Sequence, residues 1–91
     1  MRKLYVIEET CRVSTGRDVI HFRHNACQNL YFTNLNSAIA KAELMASEDG
    51  DYKPYTPKGN HVIKAWRYEF IDGQGHTNEW FLKVYECEFY I

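Results

Sequence analysis

His21, His24 and Cys27 form a His-x-x-His-x-x-Cys run, and all three are zinc-binding residue types. On a helix these spacings would roughly share a face. Their surroundings read as a strand, which turns His21 and His24 to opposite sides. A fourth ligand would have to come from afar, from His61, His76 or Cys87. The plainer reading is a pair of ordinary strand and loop histidines, and no metal or cofactor is assigned. A thiol nucleophile needs a neighbouring base and an orienting group. None of Cys11, Cys27 and Cys87 sits in a recognisable strained turn or at a clear helix N-terminus, where a thiolate is stabilised. Cys87 is in phase with Tyr85 and Phe89, as a buried structural thiol would be. Glu86 and Glu88 share one side of a strand, as solvated charges in many sheets do. A metal- or thiol-dependent enzyme is therefore the weakest of three readings.

Nucleic-acid or nucleotide binding has a better case in Lys64, Trp66, Arg67 and Tyr68, which interleave basic and aromatic groups on one strand. Exposed aromatics on a sheet stack bases, and nearby cations neutralise phosphate. No RNP-like run accompanies them. Gly73 and Gly75 belong to a hairpin turn and make no phosphate cradle. The net charge of −1 also differs from that of a strongly basic nucleic-acid binder. The plainer reading puts Trp66 and Tyr68 in the core and leaves Lys64 and Arg67 solvated.

Protein binding draws on more of the chain. Aromatic residues make up 15% of only 91 residues. A domain of this size buries roughly two thirds of its unfolded surface, so some rings stay at the surface, where they are favoured contact residues. The loop Tyr52-Lys53-Pro54-Tyr55-Thr56-Pro57 is stiffened by its prolines, which lowers the ordering entropy of presenting two tyrosines. Trp66, Trp80, Phe89 and Tyr90 complete the expected partner-binding set.

These side chains need a frame. Lys3–Val13 and Asp18–His24 read as two strands hairpinned through Gly16. In the stretch from Leu35 to Ala46, Leu35, Ala38, Ile39, Ala42, Met45 and Ala46 recur at helical spacing. Asn34 is an N-cap residue and Gly50 a C-terminal stop, which predicts a helix over about 35–48. Pro54 and Pro57 argue against a regular helix or central strand over 49–60. His61–Ile71, the turn Asp72-Gly73-Gln74-Gly75, and His76–Ile91 then form a long hairpin. In its first strand Val62, Lys64, Trp66, Tyr68 and Phe70 alternate with Ile63, Ala65, Arg67, Glu69 and Ile71. In its second, the apolar phase of Trp80, Leu82 and Val84 slips to Tyr85, Cys87 and Phe89. Such a slip predicts a bulge, or a strand whose halves meet different neighbours.

The expected fold is a single α+β domain spanning 1–91, ββαββ, with a mostly antiparallel sheet and one helix packed on a face. No segment approaches a membrane span, and the cysteine pattern fits reduced thiols in the cytoplasm. The build resembles, in size and texture alone, many small bacterial and phage-encoded proteins. The reading favoured by the residues is a non-enzymatic protein-interaction module, such as a phage-type inhibitor or adaptor that blocks a host protein surface from the host cytoplasm. Homodimerisation competes for the same surfaces.

Overall fold

A computed structural model describes residues 2–24, 31–57 and 61–89; for residues 2, 21–24, 49 and 89 it describes the backbone alone. The elements are β1 (Arg2–Ser14), β2 (Val19–His24), α1 (Leu35–Asp49), β3 (Lys53–Tyr55), β4 (Val62–Ile71) and β5 (Thr77–Phe89). The five strands form one sheet in the order β2-β1-β5-β4-β3, with every neighbouring pair antiparallel. The result is a small α+β domain with one helix packed on a mostly antiparallel sheet, as the sequence predicts.

The helix ends where its caps dictate. The Asn34 side-chain oxygen accepts from the Ser37 N–H at 3.2 Å, satisfying a donor that the first turn leaves open. At the other end Gly50 adopts φ 81° and donates its N–H to the Ala46 carbonyl at 3.2 Å. A Cβ at Gly50 would meet nothing within 4 Å, so the left-handed backbone, not space, asks for glycine there. Ala38, Ala42 and Ala46 are buried against the sheet. Their small side chains let α1 lie close over Ile7, Leu82, Val84 and Trp66, which with Tyr52 complete the core. At the start of the helix, Tyr5 and Phe32 exchange two backbone hydrogen bonds of 2.8 and 3.0 Å. These tie the incoming chain to the β1 edge.

Two features differ from expectation. Lys53–Tyr55 forms a third short strand, paired with Ala65–Arg67, inside the stretch expected to be irregular. It lies at the sheet edge, where proline is tolerated. The phase slip at Val84 and Tyr85 has no counterpart in the pairing of β5 with β1, which runs unbroken from Arg2↔Phe89 to Ser14↔Thr77. The irregularity sits on the facing strand. Val62 pairs with Tyr85 and Lys64 with Val84, leaving Ile63 as the extra residue. Val62 is thereby in register with Tyr85, on the side away from the helix, and does not share a side with Trp66.

Leu82→Ala should cost about 2–5 kcal/mol of stability through lost contacts and a residual cavity. Leu44→Ala, at an exposed helix position, should stay within about 0.5 kcal/mol. Urea unfolding of both variants checks the placement of the core.

Candidate binding surface

Residues paired directly across an antiparallel sheet share a side, so the register arranges side chains in rows. Beyond the helix, one row is Ile20–Val13–Asn78–Phe70 and the next includes Cys11–Trp80–Tyr68. The first row spans three strand spacings, about 14 Å. Together the rows make an apolar ledge on the helix side of the sheet. Phe70 and Ile20 are 45% and 46% exposed; Trp80, Tyr68 and Val13 are half-buried. The rings are aligned: Tyr68 stacks on Trp80 at 6.2 Å and 7°, and on Phe70 at 6.2 Å and 15°. Among the described residues, the exposed large apolar side chains are Val19, Ile20, Tyr31, Leu44, Phe70 and Ile71. The first two and last two of these lie in the terminal paired rows of β2 and β4, at the ledge end of the sheet.

Tyr52 lies where ledge meets core, and Tyr68 and Trp80 pack against the core cluster from the ledge side. Tyr52 is 9% exposed, meets the Tyr68 ring edge-on at 4.6 Å, and its hydroxyl donates to Glu9 Oε2 at 2.7 Å. The β4–β5 turn bounds the ledge. Asp72 Oδ1 accepts from the Gln74 and His76 amides, both at 2.9 Å, and Oδ2 from Asn78 Nδ2 at 3.2 Å. The bond from the His76 amide, followed by those from Asn78 and Gln74, holds the Asp72 carboxyl below the usual carboxylate range.

The opposite side of the sheet has a different chemistry. Arg12 approaches Glu79 at 3.7 Å, while Arg67 approaches Glu79 at 3.5 Å and Glu69 at 3.3 Å. Phe81 lies within 5.9 Å of the Arg67 guanidinium, 5.3 Å of the Lys83 ammonium and 6.1 Å of the Tyr55 ring. Burial pushes the Tyr55 phenol up, with Arg67 acting the other way.

The expected partner-binding residues are therefore divided. Trp80 is on the ledge. Trp66, 4% exposed, and Tyr52 belong to the core, and Tyr55 lies on the far side. The backbone of Phe89 pairs with Arg2; its side chain and Tyr90 lie outside the described residues. Of the four residues read for nucleic acid, three share a side, with Lys64 5.5 Å over the ring of buried Trp66, and the fourth does not. Lys64, Trp66 and Tyr68 are on the helix side, with Lys64 bonded to Glu43 at 2.7 Å, and Arg67 is on the other. The His21 and His24 backbones pair with Arg12 and Glu9; their side chains, and Cys27, lie outside the described residues. Among the described residues no group of three His, Cys, Asp or Glu side chains is placed to hold a metal ion. No described helix is long and apolar enough to cross a membrane. Ile20, Val13 and Phe70 were not singled out from the sequence, because their row exists only once four strands are in register.

No family model, curated protein or solved structure matches the chain.

Two outcomes follow from the titrating groups. The lowered Asp72 carboxyl contributes stability that is present above the ordinary carboxylate pKa of about 3.9 and lost as pH falls through its lower folded value. Asp72→Ala should therefore destabilise at neutral pH and have progressively less effect below pH 4, as denaturation across pH would show. Cys11 is buried, whereas Cys87, expected from its phase to be a buried structural thiol, is exposed, because its place in β5 is on the side of the sheet away from the helix. Burial, and then the charge of Glu9, pushes the Cys11 thiol up. In the folded protein, site-resolved alkylation should modify Cys87 well before Cys11; fast labelling of Cys11 would contradict this burial.

Proposed function

We propose that this protein is a non-enzymatic binding module that docks a protein partner on the ledge and acts by occupying that partner's surface. The observation that carries the reading is the aligned set Trp80, Tyr68 and Phe70, continued by Val13 and Ile20, on the stretch of sheet the helix leaves open. Stacked rings on a rigid sheet offer contact area at little cost in ordering, as interface anchors do. The polar residues of the Asp72–His76 turn supply one side of a rim.

The electrostatics favour protein over nucleic acid. The two rows contain no lysine or arginine, and Glu9 and Asp72 border them. Cations and rings meet at Trp66, which is buried and whose neighbour Lys64 is bonded to Glu43, and around Phe81, where Arg67 is matched by Glu69 and Glu79; these ion pairs weaken the field that phosphate binding needs. The free thiols of Cys11 and Cys87 suit a reducing compartment such as the cytoplasm. An inhibitor or adaptor directed at a host protein is the specific form this module would take.

Affinity capture from native lysate tests the reading, using wild type, Phe70→Asp, Ile20→Asp and the helix-surface control Leu44→Asp. One stoichiometric protein should be held by wild type and by the control. Each ledge variant should weaken it about 30-fold, as loss of a 2 kcal/mol hot spot implies. Recovery of nucleic acid alone, or undiminished capture by both ledge variants, would overturn it.

A further inference from the structure

The edge of the sheet beside the ledge is incomplete. β3 pairs with Ala65, Trp66 and Arg67 only. Tyr52, which leads into β3, packs beside Tyr68, and from Glu69 to Ile71 β4 runs on with no strand beside it among the described residues. The direction of its backbone groups follows from the hairpin. The Asp72 N–H donates to the His76 carbonyl at 3.0 Å, so Asp72, Phe70 and Tyr68 turn their amides toward β5. By the same alternation Ala65, Arg67, Glu69 and Ile71 turn theirs outward. β3 occupies the places opposite Ala65 and Arg67, and the ladder positions of Glu69 and Ile71 continue past its end. An open notch of ≈ 660 Å³ lies there, lined by Asp51, Lys53 and Pro54 on the β3 side and by Tyr68, Glu69 and Phe70 on the β4 side. Ile71, at the outer end of this edge, is 72% exposed.

We propose that this edge takes an extended segment of the protein partner, added as a strand in line with β3 and hydrogen-bonded to Glu69 and Ile71. The inference rests on the protein-binding reading and names the partner's form. Main-chain bonds hold such a segment, and alternate side chains give it specificity. The residue opposite Phe70 projects over the ledge and is apolar. Those opposite Glu69 and Ile71 project to the far side, where Arg67 already meets Glu69 and Glu79; with Asp51 and Lys53 also lining the notch, acidic and basic side chains balance there and no net charge is asked of the segment. An uncharged, β-branched segment fits. A second copy of this chain fits less well. Twofold pairing about Phe70 sets each Glu69 carboxylate beside the exposed Ile71 of the other copy, with no new counter-charge.

The probe is the capped neutral peptide acetyl-Thr-Val-Thr-Val-Thr-amide, titrated into the ¹⁵N-labelled full chain. Hydrogen exchange at the Glu69 and Ile71 amides should slow at least tenfold, while exchange at Tyr68 and Phe70, already bonded to β5, should not change. Ile71→Pro removes one outward donor and spares the β4–β5 ladder; it should abolish the effect, and Ile71→Ala should keep it. Unchanged exchange in wild type at millimolar peptide overturns the proposal without any variant. So does protection of the same two amides by self-association in the absence of peptide. In the capture experiment, loss of the partner with Phe70→Asp but not with Ile71→Pro would reject strand addition and leave ledge docking standing. Wild-type capture by Phe70→Asp, Ile20→Asp and Ile71→Pro alike would reject both.

Discussion

One helix has to cover a sheet about twice its length. The 15 residues of α1 span about 22 Å, whereas the 13 residues of β1 and of β5 span about 44 Å. The domain is accordingly elongated, 47 × 25 × 23 Å. Where helix and sheet overlap, Ala38, Ala42 and Ala46 bring the backbones close and bury Ile7, Leu82 and Val84. Past the helix, the same side of the same strands still carries Val13, Trp80, Tyr68 and Phe70. The core and the candidate binding surface are thus one continuous apolar side, divided where its helical cover ends.

Tyr52 marks that division. Its ring closes the core against Tyr68, and its hydroxyl finds Glu9 on β1, so the strand beneath the ledge is tied to the segment that leaves the helix. A phenol that packs with one end and hydrogen-bonds with the other is suited to such a boundary. On the far side the sheet meets water through the Arg12–Glu79–Arg67–Glu69 cluster. Exposed ion pairs of this kind add little stability. Their consequence is chemical: they give one side of the sheet a matched polar cover and leave the aligned rings to the other.

The edge strands follow from the same economy of length. β3 has three residues, and Pro54 sits opposite Trp66, so β3 caps only the middle of β4. Short, proline-bearing edges limit uncontrolled pairing. At Glu69 and Ile71 the protection stops, beside the most exposed rings of the ledge. The bulge at Ile63 acts at the other end of β4, where it moves Val62 to the side of Tyr85.

The sequence by itself determined what depends on near neighbours. Asn34 and Gly50 fixed the helix ends because caps are local hydrogen-bonding problems. The alanine stripe fixed its buried face, and strict alternation already set Arg67 apart from Lys64, Trp66 and Tyr68. The tertiary structure decided what depends on strand order and register. It placed Tyr52 in the core and Tyr55 on the far side, from a loop whose prolines hid a strand. It assigned the irregularity signalled at Val84 and Tyr85 to the facing residue Ile63. It also drew Ile20, Val13, Asn78 and Phe70 into one row. Alternation says which residues of a strand share a side, but a row across four strands requires knowing which strands are neighbours and in what register. Val13 with Ile20 and Phe70 with Asn78 are hairpin neighbours, but the pairing that joins the two hairpins, Val13 with Asn78, links residues far apart in the chain, and no local pattern encodes it.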